Sequence, residues 1–328
     1  MKVAVIGSGS WGTAIASLMA SKENDVWLWS WQEAESQRLK QDKENKEFLP
    51  GVMLDKNITF SHIAKDCVEN ADLIVTASPS HAMRNTAKSI APFVAEGQRI
   101  VNISKGLEEG TYFRMSQVIA SEIPQAKIAV MSGPSHAEEV GRGLETLNVV
   151  ASEDKETARF VQDAFMAPYF RVYTSEDVIG VELGGALKNV IALAAGVAAG
   201  LGCGDNALAA LMTRGIAEIA RLGIALGAER DTFAGLAGIG DLMVTCMSQH
   251  SRNRRCGVML GQGMSLEEAK EKVHMVVEGV GACYVAYDLA KEKGVDMPIT
   301  NCMYKILKGT LAAKDAAAEL MGREKRAE

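Results

Sequence analysis

Six short runs rich in β-branched residues recur through the first 151 positions and alternate with stretches of helical apolar spacing. They are Lys2–Ile6, Asp25–Trp29, Leu73–Ala77, Arg99–Ile103, Lys127–Met131 and Asn148–Ala151. Parallel strands can be joined only by a long crossover, usually a helix, so this alternation predicts βαβ units and a mostly parallel sheet. The second half reads differently. From Asp177 to about Leu226 the chain is rich in Ala, Leu, Ile and Gly at helical spacing. Further helices are predicted over Ser265–Lys272, behind the Gly261-Gln262-Gly263 break, over Ala282–Lys293 and from about Thr300. A chain of 328 residues is long for one core. The expectation is an α/β domain over residues 1–180 followed by an all-α domain over 181–328. No internal repeat is visible, and the charged tail from Arg323 to Glu328 is expected to fray.

The first run leads straight into Gly7-Ser8-Gly9-Ser10-Trp11-Gly12, which opens a helix over Thr13 to Ser21. In that context the glycines have separate physical tasks. Gly7 permits the tight turn, Gly9 lets the backbone approach a pyrophosphate, and Gly12 lets the helix pack closely on the strand. The helix N-terminus then receives the phosphates. The sheet domain is therefore expected to be of the Rossmann type and to bind NAD or NADP. The end of the second run should discriminate between them, through an acidic residue for ribose hydroxyls or an Arg for a 2′-phosphate. Here it reads Trp29-Ser30-Trp31-Gln32-Glu33, which is neither. Trp31 suits stacking on an adenine or covering the sheet edge. The preference stays open.

Composition excludes several classes. Apolar residues make up 48% and charged residues 23%, with a formal net charge of −6, which fits a globular protein and argues against a broad nucleic-acid-binding surface. The N-terminus has none of the features of a signal peptide. The apolar stretch Val190–Leu201 is shorter than a membrane span and is expected to be a buried core helix. Cys67, Cys203, Cys246, Cys256, Cys283 and Cys302 are scattered without C-x-x-C pairs or zinc-ligand spacing. Reduced, packed thiols of a cytoplasmic protein are the expectation, with no metal site.

Five further segments follow the glycine turn in order. They are Ser104-Lys105-Gly106-Leu107-Glu108, Gly133-Pro134-Ser135-His136-Ala137, Leu183-Gly184-Gly185-Ala186-Leu187-Lys188-Asn189, Gly238-Ile239-Gly240-Asp241-Leu242 and Ser251-Arg252-Asn253. With Val276-Val277-Glu278-Gly279 they resemble the bacterial-type NAD(P)-dependent glycerol-3-phosphate dehydrogenases, from Met1 to about Leu307. The resemblance implies a Rossmann domain and a helical domain of the 6-phosphogluconate-dehydrogenase-like plan, usually a homodimer. It also implies a small phosphorylated substrate, no nucleic acid or membrane insertion, and a cytoplasmic role in supplying glycerol phosphate for phospholipids. By position, Lys188 is implied as the acid/base, and Lys105 as a contact of both cofactor and substrate. Gly133, Ser135, Asp241, Ser251, Arg252 and Asn253 are implied as substrate contacts. Ser10, Trp11, Ala137, Arg252, Val276 and Glu278 are implied as cofactor contacts. Two positions depart from the family pattern: Trp31 stands where a basic residue is usual, and His136 where Phe is usual.

The residues carry chemistry of their own. Reduction of a ketone by hydride leaves an alkoxide that must be protonated, and the reverse needs a base; one side chain can do both. Lys188 interrupts a helix that is otherwise small and apolar from Gly180 to Gly200, with Glu182 and Asn189 near it. A lone helical lysine either snorkels to the surface or acts in a site. Lys105, past the strand Arg99–Ile103, is expected to polarise a carbonyl at the C-terminal edge of the sheet, or to be a solvated loop residue. Asp241 could orient Lys188, accept a substrate hydroxyl or merely form a turn. Ser251 is available to cap a helix whose first amides and Arg252 suit a phosphate. The histidines His62, His81, His136, His250 and His274 rank below Lys188 as acid/base. A 3-hydroxyacid or ketopantoate-type reductase would share this plan, and a non-catalytic nucleotide sensor would keep only the glycine turn.

Overall fold

The computed structural model describes residues 1–325; the last three positions of the charged tail, 326–328, lie outside the described residues. The chain divides into two compact units. One comprises Met1–Glu108 with Phe113–Glu182; the other comprises Glu109–Tyr112 with the chain from Leu183 onward.

The first unit is built on eight strands: β1 Lys2–Ile6, β2 Asp25–Trp29, β3 Ile58–Ser61, β4 Leu73–Thr76, β5 Arg99–Asn102, β6 Lys127–Ser132, β7 Thr146–Ala151 and β8 Phe170–Ser175. Their order is β8-β7-β6-β5-β4-β1-β2-β3. All neighbours are parallel except β6 and β7. A separate hairpin pairs Glu44–Asn45 with Leu49–Met53. The strand set differs from the expectation at both edges, since β3 and β8 are additional. They are the two outermost strands, and β8 alternates buried and exposed residues along its first half. The runs visible in the sequence are mostly inner strands covered on both faces.

Side-chain alternation explains that covering. Val3 and Val5 join one apolar cluster with Leu73, Val75, Val101 and Ala129. Ala4 and Ile6 join the opposite one with Ile74 and Ile100. Helix α1, Ser10–Ala20, and a later helix, Lys155–Phe165, bury residues in the first cluster. The helices Met83–Ile90 and Met115–Glu122 cover the second. Each large aliphatic side chain buried this way is worth about 1.5–3 kcal/mol.

The chain leaves β1 for β2 on one side and later returns to β4 on the other. The C-terminal ends of β1 and β4 therefore bound the switch point, where an open α/β sheet receives ligands.

The second unit is helical among the described residues. Its main members are α2 Val178–Gly200, which begins in the first unit, α3 Asp205–Ala225, α4 Asp241–Met247, α5 Arg252–Gly261, α6 Glu278–Lys293 and α7 Pro298–Leu307. Helix α2 is longer than the Val190–Leu201 stretch suggested. At 23 residues it is long and apolar enough to cross a membrane, yet 89% of its apolar window is buried inside the protein, as a core helix requires. Its contact with α5 is set by glycines on both sides. A Cβ on Gly196 would stand 2.2 Å from the Arg254 carbonyl oxygen, and one on Gly257 2.1 Å from that of Leu193. The backbones can meet so closely only because both positions lack a side chain.

Candidate active site

At the end of β1, Gly7 has φ +120, and a Cβ there would lie 2.9 Å from the Ala77 carbonyl. A Cβ on Gly12 would lie 1.9 Å from the Gly7 oxygen. Both glycines are thus closed off by backbone packing. Gly9 is the opposite case, with nothing within 4 Å of its Cβ position. No side chain caps α1, and no acidic residue occupies its first turn. Trp11 Nε1 is buried with no partner among the described residues. An open approach at Gly9, a positive helix end and an orphaned donor fit an anionic dinucleotide.

Behind the turn lies a tethered side-chain group. Thr13 Oγ1 donates to the Ser8 carbonyl at 3.1 Å, and Asn45 Nδ2 donates to that carbonyl at 2.7 Å and to Thr13 Oγ1 at 2.8 Å. The Ser30 hydroxyl donates to Ser8 Oγ at 2.9 Å, which donates to Glu35 Oε1 at 2.7 Å. Of the two readings of Trp31, edge cover gains nothing, because the residue is 73% exposed.

Lys105 follows β5. Thr76, Asn102, Ser104 and Ser78 hold its loop through side-chain hydrogen bonds of 2.6–3.2 Å. Its ammonium donates to the Gly133 carbonyl at 3.0 Å, which also accepts from the Ser135 hydroxyl at 2.8 Å. Lys105, Gly133 and Ser135 therefore converge at the C-terminal edge of the sheet. Ala137 opens the next short helix, Ala137–Val140.

In the helical unit Lys188 does not snorkel. It is 6% exposed, donates to Asp241 Oδ1, and donates to Thr245 Oγ1 at 2.7 Å. Thr245 in turn donates to the Asp241 carbonyl at 2.6 Å. A π-helical turn, Leu236–Gly240, delivers Asp241 to the start of α4. That turn lies close against α2, since a Cβ on Gly184 would be 2.3 Å from the Ala237 oxygen. The other nearby acid, Glu182, is committed elsewhere; it accepts from Arg114 Nη1 at 2.6 Å and from the Ser116 amide at 2.8 Å. Burial pushes the Cys246 thiol up to about 12, against the nearby Lys188 charge.

Ser251 caps α5, accepting from the Arg254 amide at 3.2 Å, and Arg252 is the first helical residue. Asn253 is buried, and its side-chain amide is spent within the bundle. It donates to Asn189 Oδ1 at 2.9 Å and accepts from the Gly279 amide at 2.9 Å. It thereby ties α5 to α2 and to the start of α6, beside Glu278. Val276 is 38% exposed just before that helix.

All six cysteines are free thiols, five of them buried. Among the described residues no three His, Cys, Asp or Glu side chains gather to hold a metal. Thr245, Asn45 and Glu35 were not anticipated as site residues. Thr245 lies four positions after Asp241, on the same helix face, which is a readable signal. Glu35 lies beyond the strand end where an acidic residue was sought, and only the fold of the first turn of the next helix carries it back to Ser8.

A glycine turn at the switch point of a doubly wound sheet, in one chain with a helical unit carrying a buried Lys–Asp pair, defines a dinucleotide-dependent oxidoreductase. Residues 2–158 match the family model described as NAD-dependent glycerol-3-phosphate dehydrogenase N-terminus, and residues 177–318 match the one for its C-terminus. A glycerol-3-phosphate dehydrogenase [NAD(P)+] of Moorella thermoacetica is 54% identical over 98% of this chain and 96% of its own length. One from Agathobacter rectalis is 51% identical over 100% and 97%. The crystal structure of glycerol-3-phosphate dehydrogenase from Coxiella burnetii superposes with TM-score 0.94, at 36% identity and 98% coverage of both chains. The chain belongs to the NAD-dependent glycerol-3-phosphate dehydrogenase family.

Proposed function

We propose that this protein is an NAD(P)-dependent sn-glycerol-3-phosphate dehydrogenase that reduces dihydroxyacetone phosphate reversibly to supply glycerophospholipid synthesis. The observation that carries the mechanism is the Lys188–Asp241–Thr245 cluster. It is a buried amine held by Asp241 and Thr245, in a helix with no other lysine, arginine or histidine. The bound nicotinamide supplies or accepts the hydride. Lys188 donates its proton to the carbonyl oxygen in the reducing direction and takes the hydroxyl proton in the other. Asp241 and Thr245 hold the Lys188 nitrogen in place. Lys105 polarises the carbonyl. The amides at the start of α5 and the Arg252 guanidinium take the substrate phosphate, with Ser251 fixing that helix end. Gly133 and Ser135 shape the loop that presents Lys105, and Asn253 acts through the α5 backbone it anchors.

The sheet unit holds the cofactor through Gly7, Gly9, Ser10, Trp11, Gly12, Trp31 and Ala137. Arg252, Val276 and Glu278 are the further cofactor contacts that the family resemblance implies. The working protein is a cytoplasmic homodimer in this reading. The test follows oxidation of NADH and NADPH in parallel with dihydroxyacetone phosphate, and with ketopantoate as the carboxylate control. Oxidation with the phosphorylated ketone alone is expected. Turnover of ketopantoate without dihydroxyacetone phosphate would replace this reading with that of a ketoacid reductase.

A further inference from the structure

We propose that Glu35 makes this enzyme select NAD(H) over NADP(H), its carboxylate accepting from the adenosine ribose and repelling a 2′-phosphate. The inference rests on the dinucleotide reading of the glycine turn. An acidic group at the end of the second strand is the usual device for ribose recognition, and the strand itself ends in Trp29-Ser30-Trp31-Gln32. The structure supplies the missing carboxylate from the next helix. Glu35 lies in the first turn of the helix Glu33–Asp42, and its Oε1 takes the Ser8 proton at 2.7 Å. Ser8 stands between Gly7 and Gly9 of the turn, so the carboxylate is one hydroxyl away from the backbone that receives the dinucleotide.

The group is fixed rather than mobile. Ser30 at the end of β2 donates to the same Ser8 hydroxyl, and Asn45 and Thr13 both hold the Ser8 carbonyl. With Oε1 committed to Ser8, Oε2 is the atom for a ribose hydroxyl. The surrounding charge favours the same choice. Glu35 and Glu47 gather here with Arg38, and Arg38 faces Glu47 at 3.5 Å. His62 stands 4.0 Å from Glu33. Trp31, just past the end of β2, brings no cation. Burial raises the Glu35 carboxyl from its ordinary value, and the Ser8 hydrogen bond works against that rise.

The experiment is direct binding of NADH and NADPH to the full chain by nucleotide fluorescence and calorimetry, without any ketone present. The wild type is expected to bind NADH about tenfold or more tightly than NADPH, the scale of one charge-assisted hydrogen bond and one repulsion. Glu35→Gln should bring the two within about threefold, mainly by tightening NADPH. Glu35→Ala is the second variant, and melting curves report whether either variant is folded. A purely structural Glu35 would weaken both nucleotides together and leave their ratio unchanged, which overturns the proposal. Equal binding by the wild type overturns it too. Failure of both nucleotides to bind would instead sink the dinucleotide reading on which it stands.

Discussion

The glycine turn of the sheet unit and the Lys188 cluster of the helical unit solve opposite problems. The turn offers its ligand backbone amides from consecutive residues. Those amides lack helical partners in any case, so presenting them costs almost nothing in desolvation. The cluster offers side chains drawn from positions 53 and 57 residues apart, all nearly closed to solvent. Burying an ion costs several kcal/mol unless its partner and further hydrogen bonds come with it. The comparison teaches that the first site should tolerate loss of side chains but not addition of one, whereas the second should fail whenever any member is removed alone.

The largest expected effect lies in the cluster. Lys188→Ala should lower turnover about 10²–10⁴-fold, the usual worth of a general acid/base. Nucleotide affinity, measured by fluorescence, should stay close to wild type, because the turn is built independently. Near-normal turnover in a folded variant would remove Lys188 from the chemistry and with it one half of the comparison.

Asp241→Ala takes the carboxylate away from the buried Lys188 ammonium. Breaking one side of a buried pair typically costs about 3–5 kcal/mol, read as a lower urea midpoint. The double replacement Lys188→Met/Asp241→Leu removes both charges and should regain most of that stability while remaining inactive. If the double variant is as unstable as the single one, the instability comes from lost packing and not from an unpaired charge.

Gly9→Ala probes the turn by addition. Its Cβ meets no protein atom, so the melting temperature should hardly change. The methyl group stands where the pyrophosphate must approach, and both nucleotides should weaken about 10–100-fold. Gly7→Ala, by contrast, should also destabilise the fold, because it meets the Ala77 backbone and requires a positive φ. Unchanged nucleotide affinity in Gly9→Ala would show that the open space is not the phosphate path.

The same contrast governs what could be read before the fold was known. The turn was legible because its strand, glycines and helix are contiguous, and the inner strands because both faces are apolar. The edge strands β3 and β8 escaped because they are half exposed, so their composition resembles that of loops. Lys188 stood out as the lone basic residue of an apolar helix. Its partner Thr245 and the path of Asp241 through a π-helical turn depend on local winding that composition does not encode. Asn253 shows the limit in the other direction. Its motif position is accessible to reasoning, but the structure commits its side chain to Asn189 and Gly279.

The smallest effect tests whether buried charge is a habit of the helical unit beyond Lys188. Glu218 on α3 is 1% exposed, and its carboxylate accepts from the Ile299 amide at 2.7 Å and the Thr300 amide at 3.2 Å at the start of α7. Burial pushes its carboxyl up from 4.5 to about 7, against those hydrogen bonds and the Arg221 charge. The unfolded chain releases this proton near 4.5 and the folded chain only near 7. Between those values the unfolded state binds fewer protons, so this group's contribution to stability is fully present below the lower value. It is lost as pH rises and is gone above the upper one. Between pH 5 and pH 7 the loss should amount to about 2 kcal/mol. Glu218→Gln cannot ionise and should flatten the wild-type decline in urea midpoint between pH 5 and pH 7. An identical decline in both proteins would mean that the α7 amides hold Glu218 ionised throughout, and that its burial carries no pH-dependent cost.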